Sequence, residues 1–150
     1  MEDNVDPNKA RQNVTAAIQA HPDASVLLGL WSYNAPAIAE EVTRANKRSQ
    51  FKLVTFDAEP NTITQLQNGV IDASVVQQPY QYGYLAVQLL NALVSNDQAT
   101  VKKMVPASTI VDVPCRLVIS NPSGPIKKSP NVMTIDELKK YLDEKGLKGS

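Results

Sequence analysis

The sequence contains few of the residues on which most catalytic and metal sites depend. Its 150 residues include one cysteine and one histidine. Cys115 has no partner for a disulfide within the chain, and zinc sites that combine several cysteine and histidine ligands are excluded. A histidine base would have to be His21, whose position before Pro22 is more typical of a helix end. We therefore predict no metal site and no catalytic residue.

The glycine-rich motifs that hold phosphates and nucleotide cofactors are also absent. The chain contains neither GxGxxG nor GxxxxGK[ST], and it has no GxSxG of the kind that serine hydrolases use. We therefore predict no bound cofactor.

The chain has no excess of charge of either sign. Fifteen Lys and Arg residues balance fifteen Asp and Glu residues, so the formal net charge is +0. This balance argues against nucleic acid or an anionic membrane as the main partner. No apolar run approaches the roughly 18–20 residues that cross a bilayer. No secretory signal precedes the first helix, and a mature, trimmed or truncated chain would also lack one. A hydrophobic content of 43% nevertheless predicts a folded chain.

Helices and strands are predicted to alternate along the chain. Asp6 and Pro7 form a typical helix start, and short apolar runs bounded by turn residues are typical of strands. The predicted elements are, in order, a helix from 7 to about 21, a strand over 25–31, a helix over 34–45, a strand over 51–56, a helix over 61–68, a strand over 71–77, a helix from 79 to about 96, an extended segment over 109–120, a turn over 121–125 and a helix from 134 to 146.

The sequence also predicts which residues cap these helices and which side chains their faces carry. We expect Asn34 to cap the second helix, and Thr134 with Glu137 to form a capping box at the last one, which ends at Gly146. Exposed Glu40 and Arg44 have the spacing of an ion pair. The longest helix carries a wide apolar stripe, formed by Tyr82, Leu85, Ala86, Leu89, Leu90 and Leu93.

The alternation of strands and helices predicts an α/β fold, with a parallel sheet and helices on both of its faces. In such folds ligands bind at the carboxyl ends of the strands. The first predicted strand ends in Trp31, Tyr33 and Asn34, the second in Asp57 and the third in Gln77. We expect these side chains to meet at one edge of the sheet.

The residue types at this edge suit a sugar. An aromatic ring packs against the apolar face of a sugar, while carboxylates and amides bind its hydroxyl groups. A plainer interpretation is also open at each position: Asn34 and Asp57 would cap helices, and Gln77 would only end its strand.

Five segments of the chain resemble one known family, most specifically the Phe-Asp turn and the Gln-Gln-Pro-Tyr segment at their mutual spacing: 20–23 (AHPD), 28–34 (LGLWSYN), 54–57 (VTFD), 71–80 (IDASVVQQPY) and 83–84 (GY). They are similar to the carboxyl-terminal lobe of the type I periplasmic binding proteins, the ribose-binding-like receptors of sugar ABC transporters. The resemblance covers about residues 5–120. We predict that residues 1–120 form a partial ligand-binding lobe and that 121–150 form an extension with a capped helix.

The resemblance also assigns roles to the residues at the strand ends. It implies that Asp57 and Gln77 hydrogen-bond a sugar and that Trp31, Tyr33 and Asn34 line the same cleft. It further implies a binding protein rather than an enzyme, a periplasmic or extracytoplasmic location, and a membrane permease as partner.

A member of this family is roughly twice this length, with two lobes that close on the ligand. Its lobe has the strand order 2-1-3-4-5, so the strand over 25–31 would pair with a neighbour that this chain does not supply. We expect that edge to be covered by the amino-terminal portion of such a receptor as a separate chain, or by a second copy in a homodimer.

Two other functions are weighed against sugar transport. One is the effector-binding domain of a lactose-repressor-type regulator, although the sequence shows no helix-turn-helix and no basic segment. The other is an enzyme of flavodoxin-like fold that uses Asp57 as a phosphate acceptor, as in response regulators. The chain has neither the acidic pair nor the strand-end lysine of that site.

Overall fold

The computed structural model describes residues 1–121, 126 and 128–149. The predicted turn over 121–125 therefore falls largely outside the described residues. The elements along the chain are α1 (Pro7–Ala20), β1 (Val26–Leu28), α2 (Asn34–Arg44), β2 (Lys52–Phe56), α3 (Pro60–Gln67), β3 (Ala73–Val76), α4 (Pro79–Val94), α5 (Gln98–Met104), β4 (Arg116–Ile119), β5 (Val132–Met133) and α6 (Ile135–Lys145).

The five strands form one sheet in the order β1-β2-β3-β4-β5. The pairs β1–β2, β2–β3 and β4–β5 are parallel, which confirms the predicted α/β class. The pair β3–β4 is antiparallel, so the sheet is mixed rather than wholly parallel. Among the described residues β1 pairs with β2 alone and forms an open edge, as expected from the family strand order.

The core lies on one face of this sheet. Leu53, Val76 and Val118 are at most 3% exposed and share that face, because alternate residues of a strand point to the same side. The helices α1, α2, α3 and α6 supply the facing side chains, which include Ile18, Ile38, Val42, Ile63, Leu66, Leu138 and Leu142.

The opposite face is much less covered. Val26 and Leu28 of β1 are 53% and 55% exposed.

The helix α4 also leaves apolar side chains exposed: Leu90 is 60% exposed and Val94 is 85% exposed. The predicted apolar stripe of α4 is therefore only partly buried, although the helix itself forms where the spacing predicts it.

The terminal helices begin as predicted. The Asp6 carboxylate accepts from the backbone N–H of Asn8 at 2.8 Å and caps α1. The Thr134–Glu137 capping box is complete at the start of α6, and Gly146 ends that helix in the left-handed conformation with φ 66°.

Two local predictions in α2 are wrong. Tyr33, not Asn34, occupies the cap position, because Asn34 already has helical geometry. The Glu40–Arg44 pair does not form, because α1 packs along α2 and brings Arg11 to Glu40 at 2.9 Å. Arg44 pairs instead with buried Glu41.

Candidate functional site

The carboxyl ends of β1, β2 and β3 come together at one edge of the sheet, which we call the rim (Trp31, Asp57 and Gln77). The pairing of Phe56 with Val75 places Asp57 and Gln77 at neighbouring levels. Trp31 follows β1 in the loop before α2, at the same end of the sheet. The structure thus brings to one edge the strand ends that the sequence predicts.

The backbone at Asp57 is locked in an unusual conformation. Its φ is 66°, in the left-handed region that few residues other than glycine adopt. Two hydrogen bonds hold it there: its N–H donates to the carbonyl of Val75 at 2.9 Å, and its carbonyl accepts from the hydroxyl of Ser74 at 2.6 Å. Ser74 is fully buried and also accepts from the hydroxyl of Thr55, so this turn is tied to the core.

The carboxylate of Asp57 does not serve the fold as a helix cap. Glu59 occupies the cap position of α3 and makes no side-chain cap bond. Burial, and then the nearby charge of Glu59, raise the pKa of Asp57 above its ordinary value. Among the described residues no group donates a hydrogen bond to this carboxylate. A half-buried acceptor without a partner is suited to a ligand hydroxyl group.

The two glutamines after β3 have different surroundings. Gln78 donates from Nε2 to the carbonyl of Pro114 and so ties the β3–α4 turn to the segment before β4. Gln77 is exposed and follows β3 directly, at the rim. Within the described part of the chain, the Gln77 side chain makes no hydrogen bond, whereas Gln78 is held by the segment before β4.

Trp31 lies in the loop between β1 and α2 and is 63% exposed. Asn34 holds its main chain on both sides: Asn34 Oδ1 accepts from the Trp31 N–H at 3.0 Å, and the Asn34 N–H donates to the Trp31 carbonyl at 2.9 Å. An exposed indole on a fixed backbone offers a large apolar surface at the rim.

The side chains of Tyr33 and Asn34 are engaged within the protein. Tyr33 Oη donates to Asp3 Oδ1 at 2.5 Å, and Asn34 Nδ2 donates to Asp3 Oδ2 at 3.1 Å. The hydrogen bond from Tyr33 is the main cause that lowers the pKa of Asp3. Sequence reasoning missed Asp3, since no local pattern connects it to residues about 30 positions further along the chain.

A cavity of about 170 Å³ lies beside β1, between α1 and α2. Its lining is mostly apolar and includes Leu27, Leu28, Gly29, Asn34 and Ile38. Asp57 and Gln77 do not line it, so this cavity is not the rim. It borders the open edge of the sheet instead.

Metal ligation and membrane insertion find no support in the described residues. They contain no group of three His, Cys, Asp or Glu side chains placed to hold a metal ion. Nor does any of their helices combine the length and the apolar character needed to cross a membrane.

One family profile, that of the periplasmic binding protein domain, matches residues 1–98. No curated protein sequence matches the chain. Among solved structures, GanP, a glucose-galactose binding protein from Geobacillus stearothermophilus, is 26% identical with a TM-score of 0.68; the match covers 86% of this chain and 41% of that one.

Two further solved proteins are similar. A 5-methylthioribose transporter solute binding protein from Thermotoga lettingae TMO is 25% identical with a TM-score of 0.62, over 93% of this chain and 41% of that one. An ABC transporter solute binding protein from Agrobacterium vitis, bound with alpha-D-tagatopyranose, is 24% identical with a TM-score of 0.63. That match covers 77% of this chain and 36% of the other, and at this identity it supports the fold and not the function. The chain spans about two fifths of the length of these proteins.

Proposed function

Because the chain belongs to the periplasmic binding protein domain family, we propose that it forms part of the sugar receptor of an ABC transporter. The observation that supports this proposal is the rim: within the described part of the chain, the strand ends carry the Asp57 carboxylate, which accepts no hydrogen bond, the exposed amide of Gln77 and the exposed indole of Trp31. Membership of this family implies a place outside the cytoplasm, and we propose the periplasm and a membrane permease as partner.

The three rim side chains have complementary roles in this proposal. The Asp57 carboxylate accepts from one or two sugar hydroxyl groups, and the Gln77 amide donates to another. The indole of Trp31 packs on the apolar face of the ring. Tyr33 and Asn34 belong to the same side of the cleft through the loop that presents Trp31.

A single rim is only half of a cleft. The chain spans about two fifths of the receptors that it resembles, so we propose that the sugar is enclosed between the rim and another portion of such a receptor. A half site buries less of the ligand, and we therefore expect this chain alone to bind sugar weakly.

The open edge of β1 is where that other portion attaches. The N–H of Lys52 donates to the carbonyl of Ser25, and the N–H of Gly29 donates to the carbonyl of Val54. In a parallel pair the bonding residues alternate, so the N–H and C=O groups of Val26 and Leu28 point away from β2. A further strand can pair there and cover the exposed apolar side chains.

The carboxyl-terminal part packs on the same core. Leu138 and Leu142 of α6 are at most 4% exposed and lie in one cluster with Ile63 and Val118. The division into a lobe over 1–120 and an extension over 121–150 stays a prediction.

The comparisons do not favour a transcription regulator, because the similar structures are described as a sugar binding protein and as the solute binding proteins of transporters. The family consists of binding proteins, which agrees with a role in binding rather than catalysis.

Heteronuclear NMR on the 150-residue chain tests the proposed function. We expect D-glucose, D-galactose or L-arabinose to shift the side-chain amide signals of Gln77 and the indole signal of Trp31 in a saturable way. In Asp57→Ala the affinity should fall by at least about tenfold, since a hydrogen bond to a charged group contributes about 1.5–3 kcal/mol. Gln77→Ala should weaken binding in the same direction.

Matched controls separate the rim from general effects of charge or amide loss. Asp23→Ala removes an exposed carboxylate away from the rim, and Gln67→Ala removes an exposed amide from α3. Both should bind like the wild type. Affinity within about twofold of wild type in both Asp57→Ala and Gln77→Ala would show that the sugar site lies elsewhere.

A further inference from the structure

The carboxylate of Asp3 is a point of attachment for the loop between β1 and α2. It accepts from Tyr33 Oη at 2.5 Å, from Asn34 Nδ2 at 3.1 Å and from the N–H of Val5 at 3.0 Å. Tyr33 belongs to the loop that presents Trp31, and Asn34 is the first residue of α2, directly after that loop. The third donor folds the amino-terminal segment back onto the same carboxylate.

Asn34 connects this carboxylate to Trp31. Its Nδ2 donates to Asp3 while its Oδ1 accepts from the Trp31 N–H. An amide group is planar, so the bond to Asp3 fixes the direction in which Oδ1 faces Trp31. The position of the Trp31 backbone therefore depends on Asp3, although the two residues have no direct hydrogen bond.

The segment that carries Asp3 is itself held in an unfavourable conformation. Asn4 and Val5 have φ values of 54° and 61°, and this region is a clear outlier for a β-branched residue such as Val5. Asn13 of α1 donates to the carbonyl of Glu2 at 3.0 Å and anchors the segment from the other side. Such strain persists only where the surroundings fix the conformation, and it is concentrated near binding sites.

We propose that Asp3 is a positioning residue for sugar binding: through Tyr33 and Asn34 it fixes the loop that places Trp31 at the rim. The inference rests on the proposed function, because Trp31 is taken there to pack on the sugar. Tyr33 and Asn34 then influence affinity through Trp31, since the Tyr33 hydroxyl and Asn34 Nδ2 donate to Asp3 and Asn34 Oδ1 accepts from the Trp31 N–H.

The first part of the test needs no sugar. Trp31 is the only tryptophan, so time-resolved fluorescence anisotropy of the 150-residue chain reports on its motion alone. In Asp3→Ala and in Tyr33→Phe we expect faster and wider nanosecond motion of the indole than in the wild type. The double variant should move no more than Asp3→Ala, since both substitutions break the same link.

Asp6→Ala is the matched control. It removes another carboxylate of the same segment, the one that caps α1, while the Asp6 N–H can still donate to the Asp3 carbonyl. We expect it to lower thermal stability and to leave Trp31 as restricted as in the wild type. If Asp3 only stabilised the fold, Asp3→Ala would behave in the same way as Asp6→Ala.

The second part measures D-galactose affinity by NMR titration. For Asp3→Ala we expect a loss of about three- to tenfold, with Asp6→Ala unchanged. The proposal is overturned if Asp3→Ala leaves Trp31 motion unchanged, if Asp6→Ala frees Trp31 equally, or if Trp31 is freed without loss of affinity. A wild-type chain that binds none of the sugars used above would instead refute the proposed function, while the anisotropy would still show whether Asp3 positions Trp31.

Discussion

At Asp57 the requirements of binding and of stability conflict. The carboxylate is half-buried, close to the charge of Glu59, and has no hydrogen-bond donor among the described residues. Its backbone also occupies the left-handed region. These features cost stability in the free protein, and a ligand hydroxyl group that bonds to the carboxylate would offset part of that cost.

The substitution Asp57→Asn separates the two effects. Asparagine tolerates the left-handed conformation and carries no charge, so we expect the melting temperature at neutral pH to rise by about 1–3 °C while sugar affinity falls. Burial raises the pKa of Asp57 in the folded state, so the gain should disappear as the pH falls through that raised value and the wild-type carboxyl becomes neutral. Calorimetric melting between neutral and acid pH measures this. A variant less stable than the wild type at neutral pH would contradict the account.

At the scale of the elements, Asp72 holds the amino-terminal ends of β2 and β3 together. Its carboxylate accepts from the N–H of Leu53 at 2.9 Å, from Arg48 at 2.7 Å and from Lys52 at 3.2 Å. Arg48 also donates to the carbonyl of Gly69 at 2.9 Å. This cluster lies at the end of the strands opposite the rim and supports the register that places Asp57 and Gln77 at neighbouring levels.

We expect Asp72→Ala to lower the free energy of unfolding by about 1.5–3 kcal/mol, because it leaves the Arg48 charge without a carboxylate and the N–H of Leu53 without its acceptor. Lys52→Ala is the matched control: its side chain is 73% exposed, so its loss should cost less than about 0.5 kcal/mol. Urea unfolding of both variants measures the difference. Equal costs would mean that the cluster does not hold the strands.

The stability that the Asp72 cluster contributes depends on pH. Burial alone would raise the pKa of Asp72, but the bonds from Leu53 and Lys52 and the charge of Arg48 outweigh it and lower that pKa. The stabilisation is therefore present above the ordinary carboxyl value of 3.8 and is lost as the pH falls through the lower folded value. Asp72→Ala should thus differ least from the wild type in strong acid.

Elements that depend on neighbouring residues are predictable from the sequence. The caps of α1 and α6 follow from Asp6, Thr134 and Glu137, which bond to groups within three residues. The helix α5 is missed, because Asp97 is interpreted only as the end of α4 although it also caps α5 by accepting from Thr100 at 3.1 Å.

Contacts between distant residues are not predictable in this way. The antiparallel pairing of β4 with β3 joins segments about 40 residues apart in the sequence. The hydrogen bond between Asp3 and Tyr33 joins residues about 30 positions apart. The rim is a partial exception: parallel strands bring their carboxyl ends to one edge, so its location follows from the fold class.

For the molecule as a whole, the exposed apolar surface indicates a missing neighbour. Val26 and Leu28 of β1 are about half exposed, as are several apolar residues of α4. A free edge beside an apolar face promotes association with another chain. The chain spans about two fifths of the length of the structures it resembles, and we propose the remaining part of such a receptor as that neighbour.

We therefore expect the 150-residue chain not to persist as a lone monomer. Sedimentation at micromolar concentration should show self-association, and Val26→Lys together with Leu28→Lys should reduce it by placing charges at the β1 edge. Gln67→Lys, at an exposed position of α3, is the matched control and should associate like the wild type. A well-folded 16.4 kDa monomer with submicromolar sugar affinity would contradict the proposal of an incomplete lobe.

The emission of Trp31 tests the central claim, sugar binding at the rim, most directly. It is the only tryptophan, so a titration with D-glucose, D-galactose or L-arabinose observes the rim alone. The account predicts a saturable shift of the emission with at least one of these sugars, in the millimolar range expected for a half site, and a much weaker response in Asp57→Ala. Calorimetrically detected sugar binding with unchanged Trp31 emission, or no saturable change up to about 100 mM of any of them, would contradict it.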